Sequence, residues 1–143
     1  MIEKISADGK TLAIILRHTF IEPGIHFFTP GEYSQQLGFM SHPKGRKIQA
    51  HLHNEVPRAI MTTQEVLFVR RGRLRVDFFT QNKQYLESRI LEPGDVILLA
   101  CGGHGFEVLE DLEMVEVKQG PYVGDRDKTR FTPEEIDAFI FST

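Results

Sequence analysis

Arg73-Leu74-Arg75-Val76-Asp77-Phe78 sets polar and apolar residues in strict turn. Successive side chains of a strand point to opposite faces, so this stretch reads as a strand with one buried and one solvated face. Leu112-Glu113-Met114-Val115-Glu116-Val117-Lys118 is a looser version of the same pattern. Val96-Ile97-Leu98-Leu99 is apolar at every position, which predicts a central strand covered on both sides. Leu12–Leu16 and Val66–Val69 are further strand-length apolar segments. Between such segments stand turn pairs: Asp8-Gly9, Pro23-Gly24, Pro30-Gly31, Arg71-Gly72, Pro93-Gly94 and Gly102-Gly103. Short strands with this punctuation predict an all-β protein, a small antiparallel β-barrel or sandwich. Arg70, Arg71, Arg73 and Arg75 straddle the expected hairpin turn at Arg71-Gly72 and read as a solvated face paired with carboxylates. One helix is expected, at the C-terminus from about Thr132. There Thr132 can cap, Pro133 suits the first helical position and Glu135 completes a capping box. Ile136, Phe139 and Ile140 then share a face.

The 143 residues suit one domain spanning 1–143, long enough to bury a core without disulfides. Lys plus Arg number 17 and Asp plus Glu 20, a formal charge of -3 that argues against a nucleic-acid binder. The single cysteine, Cys101, excludes an internal disulfide framework and fits a reducing cytoplasm; it reads as a small buried apolar residue. The N-terminus shows no secretory leader pattern, and no apolar run is long enough for a membrane helix. A cytoplasmic location is the expectation.

Chemistry concentrates in His51-Leu52-His53, Glu65 and His104. On a strand, His51 and His53 point the same way, about 6.6 Å apart, and two converging imidazoles suit a divalent transition metal. Gln49 shares parity with His51, and Phe106 with His104, so both are expected to line a ligand pocket. Arg58 falls between His53 and Glu65, where it would clamp an acidic substrate at the pocket mouth. His18, His26 and His42 have no partner at ligand spacing.

Five residues separate Gly45 from His51, eleven separate His53 from Glu65, and six separate Glu65 from Gly72. A second block runs from Pro93-Gly94-Asp95 to Cys101-Gly102-Gly103-His104. These two blocks, within about 33–120, resemble the two motifs of the cupin superfamily. The departures are a longer gap before Glu65, Ala100 where the family has Pro, one residue fewer before His104, and Val108 at the usual Asn position. More loosely, the whole chain resembles small single-domain bacterial cupins that accompany surface-sugar biosynthesis. The resemblance implies a jelly-roll barrel and a metal held by His51, His53, Glu65 and His104. Iron, manganese, zinc, nickel and cobalt all suit such ligands. Glu55 is closer in sequence than Glu65, but three successive ligands on one straight strand would span too far to share an ion.

Three functions remain open at this point. The first is a metal-dependent, isomerase- or epimerase-like enzyme acting on a small polar substrate such as a sugar or sugar acid. The second is a non-haem iron dioxygenase. The third is a non-catalytic ligand-binding or sensor module. The general acid and base are not assigned. A homodimer is expected, with the apolar strand Leu12–Leu16 pairing across the interface.

Overall fold

The computed structural model describes residues 1–133. Its strands are β1 (Ile2–Ala7), β2 (Lys10–Leu16), β3 (Gly24–Phe27), β4 (Gly38–Ser41), β5 (Glu65–Phe79), β6 (Tyr85–Leu91), β7 (Val96–Leu99) and β8 (Gly103–Lys118). A single 3-10 turn, Gly124–Asp127, is the helical element among the described residues. The helix expected from about Thr132 lies largely outside them. The protein is thus mostly antiparallel β, as the alternating segments predict, with its main sheet curled into a half-barrel.

That sheet has the order β1-β2-β7-β5-β6, with β8 on the opposite edge of β5. Asp8 and Gly9 both take positive φ, the geometry of the tight turn that joins β1 to β2. β7 sits between β2 and β5, pairing Leu99 with both Ala13 and Glu65. Its two faces serve two cores, which is why it is apolar throughout. Ile97 and Leu99 join Leu67, Val69, Leu74, Val76 and Phe78 inside the curl. Leu98 joins Ile14, Leu16 and Leu37 on the outer side. The β3–β4 sheet covers that outer core, with the Phe20 ring edge-on to Phe28 at 5.3 Å and to Phe39 at 5.1 Å.

The alternation in Arg73–Phe78 holds for its apolar half, where Leu74, Val76 and Phe78 are fully buried, but the opposite face is not solvated throughout, since Asp77 is buried as well. The expected hairpin at Arg71-Gly72 does not form. β5 runs unbroken through Gly72 and pairs with β8 along its whole length, from Glu65 opposite Lys118 to Phe79 opposite Gly103. The register slips three times between Val69 and Leu74, so the glycine marks a bulged bend rather than a chain reversal. Gly72 holds φ +87°, and a Cβ there would lie 2.1 Å from the Asp111 carbonyl oxygen. The four arginines therefore line one strand. They pair with acids, among them Arg71 with Glu113 at 3.2 Å and Arg75 with Glu107 at 2.8 Å.

Three other expectations change. β2, which contains Leu12–Leu16, is flanked by β1 and β7 and so has no edge to offer a partner. Cys101 is exposed, its thiol donating to the Thr11 carbonyl at 3.4 Å. His51 and His53 are not on a strand, because residues 42–64 contain none and, among the described residues, no strand pairs with them.

The turn carrying Pro93-Gly94 is locked by Asp95, whose carboxylate is only 1% exposed. It accepts from the His18 amide at 2.8 Å, the Glu92 amide at 2.8 Å and Arg17 Nη1 at 2.9 Å, and faces His18 Nδ1 at 2.9 Å. Burial alone would raise its pKa, but the two amides, the imidazole and the guanidinium outweigh it and hold the carboxyl below the ordinary range. This hub ties the end of β2 to the start of β7.

Candidate functional site

Glu65 opens β5 and shares a face with Leu67 and Val69, the apolar floor that its parity predicts. His104 stands opposite Phe78, at the far end of the same strand. On a flat sheet these two side chains would be tens of ångströms apart. The curl brings His104 Nε2 to 3.8 Å from Glu65 Oε1. They border a cavity of about 950 Å³ at the first turns of β8, with Phe106, Asp77, Lys128 and Phe131 among its lining. The Phe106 ring lies 5.4 Å from the His104 ring. Phe131 stands edge-on to Phe79 at 5.1 Å and walls the far side. The Thr63 hydroxyl donates to Asp127, fastening the 3-10 turn to the rim.

The electrostatics of the pair are unusual. Burial, a hydrogen bond with Glu116 and the charge of that neighbour push the Glu65 pKa up to about 7, against the pull of Lys118 and Lys128. Burial, helped by Lys128, lowers the pKa of His104, while Glu116 opposes the shift. Near neutral pH His104 is therefore neutral and Glu65 is divided between its two forms. The 3.8 Å contact is then neither an ion pair nor a hydrogen bond. A ligand atom presented from the cavity can bridge the two groups from the side, and both are able to exchange a proton.

The other predicted residues fall elsewhere. Gln49, His51 and His53 lie on the exposed segment, where the His51 ring stands 5.3 Å from the His53 ring and His51 Nδ1 bonds the Gln49 carbonyl at 2.9 Å. Arg58 lines a second depression, beside Tyr33 and Cys101, not the Glu65–His104 cavity. Among the described residues no group of three or more His, Cys, Asp or Glu is placed to hold a metal. Glu116, Lys118 and Lys128 were not singled out by the sequence. Glu116 and Lys118 follow from strand parity once β8 is paired with β5, but Lys128 follows from nothing local.

Comparison with protein-family models, with curated proteins and with solved structures finds no match. The reading of the site therefore rests on its own residues.

Proposed function

We propose that this chain is an enzyme that moves a proton on a small polar substrate such as a sugar or sugar acid, an isomerase-like reaction in which Glu65 and His104 are the acid–base pair. The observation that carries this reading is the convergence of the two groups beside a cavity of about 950 Å³, with Glu65 poised at about 7. A base whose pKa lies near the working pH is both ionised enough to accept a proton and basic enough to hold it. Lys118 and Lys128, whose charges reach Glu65, favour a substrate that is anionic or becomes so as the proton leaves. Phe106 offers an apolar wall to one face of a sugar ring.

A metal-dependent version of the same reading, on a cupin jelly roll, draws support from the donor types. Carboxylate and imidazole are ligands for iron, manganese, zinc, nickel or cobalt. Within one chain, however, the four ligands that the motif resemblance implies form two separate pairs, Glu65 with His104 and His51 with His53, and among the described residues no three of them gather. A bound divalent ion would supply Lewis acidity.

The test is solvent deuterium uptake, followed by NMR, at carbons next to the carbonyl in a panel of keto sugars and sugar acids. The wild type is expected to exchange at least one of them, at a rate that rises as pH passes through about 7. Glu65→Gln and His104→Asn are each expected to lose about a hundredfold or more. Parallel elemental analysis, with and without chelator, separates the metal-free from the metal-dependent version. Oxygen consumption in the same panel would instead favour a non-haem iron dioxygenase, and tight binding without exchange a sensor.

A further inference from the structure

We infer that residues 43–62 form an arm exchanged between two copies of this chain: each copy lays its arm along the free edge of β8 in the other and carries His51 and His53 to the partner's Glu65–His104 cavity. The exchange stands on the arm and the edge alone; the destination of the histidines rests on the reading of that cavity as the functional site.

The arm is an anomaly within one chain. Every residue from 43 to 62 is exposed. Among the described residues, 47–63 make no backbone–backbone hydrogen bond. Unstructured runs of this length are uncommon in compact domains unless they have a task. This one mixes charged residues with exposed apolar ones: Leu52 is 78% exposed and Met61 94%. Ile48, Leu52, Val56 and Ile60 fall at every fourth position and share one face of an extended chain. Gln49, His51 and His53 share the opposite face.

β8 is the matching anomaly. It pairs with β5 on one edge, and among the described residues no strand pairs with the other. Phe106 and Val108 stand opposite Val76 and Leu74, whose side chains are buried in the core, yet both remain exposed, Val108 by 56%. On the reverse face Val115 and Val117 are exposed as well. A long open edge that carries exposed apolar side chains is a liability that proteins normally cover.

The two anomalies fit each other. An arm paired beside β8 can turn its imidazole face to the side of His104 and Phe106, and its apolar face to the side of Val115 and Val117. Charge agrees with shape. The arm carries Lys44, Arg46, Lys47 and Arg58 against the single acid Glu55. β8 carries Glu107, Glu110, Asp111, Glu113 and Glu116 against Lys118; Glu107, Glu110 and Glu113 also face arginines of β5, and Asp111 and Glu116 add to the acidic balance of the edge. Because arm and edge belong to the same sequence, one two-fold pairing covers both at once and closes the assembly. A second copy is therefore the occupant.

Sedimentation at micromolar concentration tests the exchange. The wild type is expected to be a dimer. Leu52→Asp and Val108→Asp, both at exposed positions, are each expected to give monomer with unchanged far-UV circular dichroism. Ile21→Asp, an exposed apolar position outside both elements, should leave the dimer intact. A monomeric wild type, or a dimer that survives both Leu52→Asp and Val108→Asp, overturns the exchange. The histidines are located by a short bis-maleimide on Cys101→Ser protein carrying His53→Cys and His104→Cys, with each single variant as control. A product of twice the chain mass, absent from both controls, is expected. A bridge within one chain, or no bridge, overturns the placement in the partner's cavity. None of these readouts depends on catalysis, so a failed deuterium exchange would sink the enzymatic reading and leave the exchange standing.

Discussion

The proton affinity of Glu65 has a consequence for stability as well as chemistry. Its folded pKa of about 7 lies above the ordinary 4.5, so between those values the native state holds a proton that the unfolded chain has lost. Stability then falls as pH rises through that window and stays low above it. Glu65→Gln removes the penalty. At pH 8 it is expected to be more stable than wild type, on the order of 2 kcal/mol after allowance for partial solvation, with the difference vanishing near pH 4; thermal melts across pH measure it. Asp95 works with the opposite sign. Its pKa is lowered in the fold, so its contribution is present above the unfolded value and is lost as pH falls through the folded one. Asp95→Ala takes the acceptor from the His18 and Glu92 amides and one of the partners of Arg17, which keeps Glu3, and is expected to cost about 3 kcal/mol by urea denaturation at pH 7. Glu65 and His104 were legible from their residue type and motif spacing, and Phe106 from its strand parity with His104, both of them local properties. Lys128 was not, since its charge reaches Glu65 and His104 only through the tertiary path of the chain.

Strands were the easiest feature to read, and glycine the easiest to misread. The apolar run of β7 and the alternation around Val76 follow from burial on two faces or on one. Gly72 signals a backbone that leaves ordinary strand geometry, and a tight turn and a bulge share that signal. Only the pairing of β5 with β8 tells them apart. Gly72→Ala is expected to cost more than about 2 kcal/mol, because it combines a strained φ with a clash against the Asp111 backbone. It should also slow any exchange catalysed by Glu65 and His104, since the bend at Gly72 sits between them along β5. A Gly72→Ala protein with wild-type melting temperature and rate would show that the bend is not what brings the pair together. His51-Leu52-His53 shows another limit of local reading. Its spacing describes a face only if the segment is extended against a neighbour, and among the described residues of one chain no strand pairs with it.

For the molecule as a whole, the exposed segment makes proteolysis a measure of assembly. Trypsin should cut first after Lys47 and Arg58, where side chain and backbone are open to the protease. If a second copy covers the arm, the cutting rate per molecule should fall as protein concentration rises. A rate independent of concentration up to the micromolar range would count against the exchanged arm. The order β1-β2-β7-β5-β6 has a further effect, on synthesis. β2 emerges early, but its neighbour on the inner side is β7, whose register places Ile14 beside Leu98 and Leu16 beside Val96. The pairing of β5 with β8 likewise waits for residue 118, when Lys118 can meet Glu65. Contacts so distant along the chain form slowly. During translation, the β1–β2 hairpin therefore waits with Ile14 and Ile15 uncovered until most of the polypeptide has left the ribosome, an interval in which a chaperone has the most to bind.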